Sequence, residues 1–384
     1  MKRWSQWSVT RKLIAALLLL ACVIVALVGV FVASEWTYIR RLRHFKLHLA
    51  TPPEWYEPKE IVKGVESPRA LPRISVADAE ISTNAIAEAV RTAVKGKAKG
   101  FLICKNGALV TEYYAPDHGV DRWTDSASMM KTVTALLVGI AISEGKIKSV
   151  DEPAATYFPA WRRDGRKDIT IRNLLQMHSG LRPQGEYDDP FSDACYLALG
   201  TDVRYVVENS LLVARPGARF DYNNVNYQAL GFVLESATAR RFALYLSEKL
   251  WKPLGNRDAA LWLDQPNGEP RTFGYLFATA EDWARVGQLI LDRGKVGDQR
   301  IVPEGWIDFT CTQSATEPTY GAGIYTGADD SEDPPFAYKG IVALNGKDKQ
   351  RVYILPREKM LIVRVGPQVR GWNDSYLPNL FSNL

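Results

Sequence analysis

The chain has 384 residues, enough for one large or two medium domains, and its 46% hydrophobic and 24% charged residues are ordinary values for a globular protein. Its net charge of +5 comes from basic residues that are scattered apart from clusters near the N-terminus, which excludes a nucleic-acid-binding stripe. The four cysteines and four histidines have the spacing of neither a metal site nor a disulfide framework. We therefore expect buried free thiols, no metal, no cofactor and no nucleic-acid partner.

The first predicted element is an apolar helix over residues 13–33, a run without a charge or a proline. Such a helix would be about 31 Å long, enough to cross the core of a bilayer. Basic residues precede it and tryptophans flank it, so we predict a cytoplasmic tail over 1–12, an inner-membrane anchor over 13–33 and a periplasmic (extracytoplasmic) domain. A signal peptide cleaved near Ala33 and a lipoprotein modified at Cys22 are alternatives, which the length of the run disfavours.

Residues 34–73 contain five prolines and are predicted to form a stalk before a domain over 74–384. The domain begins with a helix over 81–94 and two strands over 100–114, which join at Asn106-Gly107, a strong hairpin signal. Helical spacing recurs around 202–214, 227–250 and 280–293, and β-rich runs return at 336–344, 351–355 and 361–365. Strands at both ends with helices between them indicate an α+β fold, in which an antiparallel sheet joins distant segments and helices form a subdomain.

Ser128 and Lys131 form a Ser-x-x-Lys pair at the start of a predicted helix that ends near Gly145. Positions three apart share one face of a helix, so the lysine lies within reach of the hydroxyl. A buried lysine with a lowered pKa could remove the serine proton and so make the serine a nucleophile. The alternative is an ordinary amphipathic helix with a capping serine.

A second informative stretch, residues 215–231, places Tyr222 and Asn224 just before another predicted helix. The Tyr222 phenol could take part in proton transfer if a nearby ammonium lowered its pKa from about 10. The Asn224 amide could hold a substrate carbonyl or Lys131. Alternatively, the tyrosine is a half-buried aromatic residue and the asparagine caps the helix.

Ser-x-x-Lys followed about ninety residues later by Tyr-x-Asn resembles the serine β-lactamase and penicillin-binding-protein superfamily, in its class C-like branch. The pattern is closest to 6-aminohexanoate-dimer hydrolases and carboxylesterase-like members. The resemblance implies a β-lactamase/transpeptidase-like fold, an acyl-enzyme on Ser128, and Lys131 and Tyr222 as coupled base and acid. It also implies that Tyr187 and Asn224 bind the substrate.

The third motif of that superfamily, Lys-Thr-Gly on a late strand, is absent from this chain. We aligned its position with Ile341-Val342-Ala343, so that the Leu344 N–H would complete the oxyanion hole beside the N–H of Ser128. Without the Lys and Thr, a β-lactam carboxylate loses its partners, although Lys347, Lys349 or Arg351 could replace them.

The sequence therefore predicts a membrane-anchored serine hydrolase that cleaves a small-molecule ester or amide. Two alternatives stay open at this point. One is a β-lactamase or D,D-peptidase, and the other is a non-catalytic envelope binding protein on the same fold.

Overall fold

The computed structural model describes residues 8–47, 51–327, 334–367 and 369–382. The helices are α1 Val9–Ser34, α2 Trp36–Leu47, α3 Thr83–Lys95, α4 Met130–Ser143, α5 Ile171–Leu175, α6 Asp193–Leu199, α7 Val203–Asn209, α8 Asn224–Thr238, α9 Phe242–Leu246, α10 Ala280–Leu291, α11 Glu304–Cys311 and α12 Tyr376–Asn379. The strands are β1 Lys59–Val62, β2 Gly100–Lys105, β3 Ala108–Tyr114, β4 Thr124–Asp125, β5 Ala259–Trp262, β6 Leu276–Ala278, β7 Lys295–Val296, β8 Gln299–Arg300, β9 Tyr325–Thr326, β10 Val342–Gly346, β11 Gln350–Leu355 and β12 Met360–Val365.

The main sheet has six antiparallel strands in the order β3-β2-β12-β11-β10-β9, so it joins the start of the domain to its end. The hairpin prediction is confirmed: β2 and β3 pair, and Asn106 and Gly107 between them have φ of 52° and 78°. Helix α3 covers one face of this sheet, while α4 and α10 pack on the other face. The predicted antiparallel sheet of distant segments is therefore confirmed.

Helix α4 is the central helix of the domain, because every residue from Met130 to Ala141 is buried. A helix that is apolar on all sides needs neighbours on all sides, and α8 and α11 are two of them. At Gly139 the Trp306 ring packs so closely that an added Cβ would lie 2.2 Å from it. This packing fixes α4 in the core, and the Ser-x-x-Lys pair lies where α4 begins.

The chain also forms a second sheet of four strands in the order β1-β5-β6-β4. This sheet was not predicted from the sequence. Its edge strand β1 comes from the segment that we expected to be a stalk, and Lys59–Val62 pairs with Ala259–Trp262. The stalk expectation also differs from the structure at Trp36–Leu47, which is helical rather than irregular. Both elements belong to the folded domain.

The N-terminal helix α1 has no buried residue and is long and apolar enough to cross a membrane. A signal sequence near an N-terminus can have the same length and composition. Of the four free thiols, Cys104 and Cys195 are buried in the domain, Cys311 is partly exposed, and Cys22 lies on the exposed surface of α1.

Candidate active site

Ser128 lies in a short 3₁₀ turn, Ala127–Met129, that leads directly into α4. The residue before it, Ala127, has φ of 45°, a left-handed conformation that side chains with a Cβ rarely adopt. Two contacts hold this strained turn. The Ala127 N–H donates to the Asp125 carboxylate at 2.8 Å, and the Leu276 N–H donates to the Ser126 hydroxyl at 3.0 Å. The strain is therefore fixed next to the proposed nucleophile, as is common at functional sites.

Lys131 is 2% exposed, and its Nζ lies 3.0 Å from Ser128 Oγ. Nζ also donates to the Phe273 carbonyl at 2.8 Å, and the rings of Tyr222, Tyr227 and Phe273 lie 5.1–5.9 Å from it. Burial lowers the pKa of Lys131 well below its usual value, although the aromatic faces weakly favour the cation. A neutral amine at this distance can accept the hydroxyl proton of Ser128.

Tyr222 reaches the same point from the loop before α8, and its ring centroid lies 5.1 Å from Lys131 Nζ. Its pKa is raised well above 10, first by burial and then by the neighbouring phenol of Tyr325. This corrects the expectation of a lowered pKa. That expectation assumed a charged Lys131, but burial neutralises the amine and so removes the positive charge that would stabilise a phenolate. Tyr222 is therefore held as a phenol, which can donate a proton.

Asn224 and Tyr187 meet at the side of the cavity, where Asn224 Nδ2 donates to the Tyr187 hydroxyl at 2.9 Å. The Asn224 backbone N–H donates to Gln184 Oε1, also at 2.9 Å. Asn224 Oδ1 is buried and has no hydrogen-bond partner among the described residues. A buried acceptor of this kind is costly unless a ligand satisfies it, and the N–H of an amide fits it.

The structure does not bring Leu344 to this cavity. Its side chain is fully buried in the core, and the cavity is lined by Lys347 and Asp348, three residues further along. The strand meets the nucleophile turn at Gly346, where an added Cβ would lie 2.5 Å from the Ser126 carbonyl oxygen. Because only glycine fits at this contact, we propose that the third motif aligns with Leu344-Asn345-Gly346, three residues later than expected from the sequence. The glycine itself was the signal in the sequence that could have set the register.

The three basic residues near the third motif have different partners. Lys349 and Arg351 each form an ion pair with Asp374 at 2.8 Å, which fixes both away from the cavity. Lys347 extends over the ring of Tyr187, with its Nζ 5.7 Å from the ring centroid. Of these three cations, Lys347 is thus the one placed to meet a substrate at the mouth.

The cavity encloses about 220 Å³ in front of Ser128. Apolar and aromatic side chains make up most of its wall, and these include Tyr56, Phe273, Tyr275, Leu42 and Phe45. A larger cleft of about 550 Å³ elsewhere, beside the β2–β3 turn, shares no lining residue with it and contains none of the proposed catalytic groups.

Sequence reasoning missed two contributors to this site. Asp125 supports the nucleophile turn, and an aspartate two residues before a strained position is a signal for such a turn. Helix α2 supplies Leu42, Phe45 and Lys46 to the cavity wall. Its apolar residues recur at helical spacing, which could have predicted a packed amphipathic helix instead of a stalk.

The fold, together with the Ser-x-x-Lys pair at Ser128 and Lys131, defines the class as that of the serine hydrolases. The profile of the beta-lactamase family matches residues 86–365, and the chain belongs to that family. The superfamily and the fold predicted from the sequence are thereby confirmed.

Three known proteins show how this family membership extends along the chain. Over 298 residues the chain is 26% identical to 6-aminohexanoate-dimer hydrolase from Paenarthrobacter ureafaciens, covering 71% of this chain and 74% of that protein. A structure from Bacillus anthracis, provisionally assigned as a 6-aminohexanoate-dimer hydrolase, aligns with a TM-score of 0.69 and 21% identity over 86% of this chain and 90% of its own. EstCE1, a hydrolase with promiscuous acyltransferase activity, aligns with a TM-score of 0.62 and 16% identity, covering 78% and 98% of the two chains.

Proposed function

We propose that this protein is a membrane-anchored serine hydrolase that cleaves an amide or ester of a small molecule through an acyl-enzyme on Ser128. The observation that carries the proposal is the 3.0 Å separation between Ser128 Oγ and a buried Lys131 Nζ. An amphipathic helix with a capping serine would not need to bury an amine beside that serine, because burial disfavours its charged form.

In the acylation step, the Lys131 amine takes the hydroxyl proton while Ser128 Oγ forms a bond to the substrate carbonyl carbon. The Tyr222 phenol gives its proton to the leaving nitrogen or oxygen as that bond breaks. Water then attacks the acyl-enzyme, the same groups move the protons in the reverse sense, and the acid product leaves with Ser128 regenerated. Lys131 serves as base in the first half because burial keeps its pKa low.

Two backbone N–H groups are proposed to stabilise the tetrahedral oxyanion, those of Ser128 and Lys347. Lys347 replaces Leu344 in this role because it follows Gly346 and lines the cavity. Backbone donors do not depend on side-chain identity, so loss of the Lys-Thr pair leaves the acylation chemistry intact.

Tyr187 and Asn224 are proposed to position the substrate. The unsatisfied Asn224 Oδ1 would accept the N–H of an amide substrate, which an ester lacks. The similarity to a 6-aminohexanoate-dimer hydrolase supports an amide as the natural substrate.

The test is a fluorophosphonate probe followed by peptide mass spectrometry. We expect wild-type protein to be labelled at Ser128 and to hydrolyse short p-nitrophenyl esters and anilides, and we expect Ser128→Ala to do neither. Folded wild-type protein without labelling or turnover would refute the catalytic proposal and favour a binding protein.

The membrane anchor is tested separately by washing membranes with carbonate. We expect the full chain, including residues 9–34, to stay in the washed membranes. Recovery of a soluble chain that begins near Ser34 would refute the anchor.

A further inference from the structure

The segment that follows the apolar helix is built into the catalytic domain. Arg41 of α2 is 2% exposed and donates to the carbonyls of Leu199, Gly200 and Asp264 at 2.9–3.1 Å, and it lies over the ring of Trp262. Such a buried, fully engaged guanidinium is costly to displace. Helix α2 is therefore a fixed wall of the domain and not a flexible tether.

Helix α2 continues almost directly from α1. The Glu35 N–H donates to Phe31 O and the Ile39 N–H donates to Glu35 O, both at 2.9 Å, so helical hydrogen bonds run across the junction. From Ser34 it is then about 12 Å along the axis to Leu42 and about 16 Å to Phe45, both of which line the cavity. The headgroup layer is about 5–8 Å thick on each side of a bilayer. If α1 spans a membrane, the Ser128 cavity must lie at its surface.

The loop at residues 186–192 connects the cavity to the membrane end of α2. Its Tyr187 lines the cavity, and its Pro190 carbonyl accepts a hydrogen bond from Tyr38, in the first turn of α2. The next residue, Phe191, is 72% exposed, and Trp36 at the start of α2 is 60% exposed. Exposed aromatic side chains beside the end of an apolar helix are typical of a membrane–water interface.

From these contacts we propose that the enzyme acts on membrane amphiphiles, namely esters or amides whose apolar chain extends from the bilayer along α2, so that the scissile carbonyl enters the cavity between α2 and residues 186–192. The walls fit such a chain, because Leu42, Phe45 and Phe273 are apolar. Charged residues of both signs also line the cavity, Lys46 and Lys347 together with Asp125 and Asp348, so its lining does not select the charge of the headgroup. The proposal rests on the proposed hydrolase function and on an uncleaved anchor.

The experiment uses the full chain reconstituted in phosphatidylcholine vesicles. One substrate is 4-methylumbelliferyl palmitate, placed either in the same vesicles as the enzyme or in separate ones, and the other is water-soluble 4-methylumbelliferyl butyrate. We expect the palmitate in the same vesicles to be hydrolysed about tenfold faster than in separate vesicles, because the anchor raises its local concentration at the cavity. Equal palmitate rates, or butyrate turnover without palmitate turnover in the same vesicles, would overturn the inference.

A pair of variants separates the interface from the chemistry. Phe191→Asp is expected to lower palmitate turnover several-fold and to leave butyrate turnover unchanged, because it places a charge where the loop meets the bilayer. The control is Val94→Asp, at a 46% exposed position of α3 on the other face of the six-stranded sheet, which should affect neither substrate. Identical behaviour of the two variants would overturn the inference. Loss of both substrates and of fluorophosphonate labelling in wild type would instead refute the proposed function.

Discussion

The two sides of the Ser128 cavity are built differently. The proposed acylation side, Ser128, Lys131 and Tyr222, comes from the turn that leads into the buried helix α4 and from the loop before α8. Burial lowers the pKa of Lys131 and raises that of Tyr222. The recognition side comes from α2, from Tyr187 and Asn224, and from Lys347 just after β10, all of which line the cavity. The difference indicates that the bond-breaking groups lie in the buried core, while the choice of substrate depends on side chains that face the cavity, some of them partly exposed, such as Tyr187.

The largest effect is expected from Lys131→Met, which should slow acylation on the order of 10³-fold or more because the base is removed. The same change removes the hydrogen bond to the Phe273 carbonyl, so unfolding is measured as well to show that the variant is folded. The measurements are the fluorophosphonate labelling rate and urea unfolding. A variant that keeps its labelling rate would show that another group is the base.

The pH dependence of the wild-type enzyme tests the same amine. The native pKa of Lys131 lies below its unfolded value, so the native state binds fewer protons between the two, and the amine's contribution to stability falls as pH falls through that window. Acylation should weaken in the same direction, because protonation removes the base. A labelling rate that rises toward acidic pH would contradict this assignment.

Tyr222→Phe should lower kcat on the order of 10²-fold for anilides, whose leaving nitrogen needs a proton. The loss should be smaller for p-nitrophenyl esters, whose leaving group departs as a stable anion. Steady-state kinetics on matched ester and anilide pairs measures the contrast. Equal losses on both substrates would mean that Tyr222 does not protonate the leaving group.

Gly346→Ala tests the register of the third motif. Its Cβ would lie 2.5 Å from the Ser126 carbonyl oxygen, so the end of β10 must move away from the nucleophile turn. We expect a loss in kcat on the order of 10²-fold, as for other damaged oxyanion holes. Gly340→Ala is the matched control, because its Cβ would make an ordinary 3.6 Å contact with Tyr338. Similar rates for the two variants would refute the alignment at Leu344-Asn345-Gly346.

Asn224→Ala examines the recognition side. Removing the unsatisfied Oδ1 should reduce kcat/KM for amides about tenfold and leave kcat/KM for esters nearly unchanged, since esters have no N–H to donate.

The wild-type enzyme should hydrolyse nitrocefin very slowly. On the proposed alignment, Leu344 and Asn345 replace the Lys and Thr that would hold a β-lactam carboxylate. Rapid nitrocefin hydrolysis would favour the β-lactamase alternative.

The smallest effect on rate is expected from Asp125→Asn, which keeps an acceptor for the Ala127 N–H. Burial raises the pKa of Asp125 to about 7, so the native state binds more protons than the unfolded state between about pH 4 and 7. The wild type therefore loses stability from this group as pH rises through that window, by about 2 kcal/mol between pH 5 and pH 8, and the variant should not. Urea unfolding at pH 5 and pH 8 measures this loss of stability. An equal change in the free energy of unfolding for wild type and variant would contradict the raised pKa of Asp125.

Local signals in the sequence predicted much of the fold. The Asn106-Gly107 turn, the helix that starts after Ser128 and the late strands depend on neighbouring residues, and the structure has all three. In our proposal the third motif moves by three residues, because an apolar run in the sequence does not show which of its residues ends the strand beside the nucleophile turn. The pKa of Tyr222 was expected to shift the other way because burial is a tertiary property. Helix α2 was not predicted as part of the domain, because an arginine such as Arg41 is usually a surface residue. Only the folded structure brings it to the backbone carbonyls that it binds.

The central claim is that Ser128 is the nucleophile of a covalent mechanism, and its most direct test is the intact mass of the protein quenched in acid during turnover of a slow ester. We expect an adduct with the mass of the acyl group, located at Ser128 by peptide mapping and absent from Ser128→Ala. Product formation without an adduct at Ser128, or with Ser128→Ala still active, would contradict it.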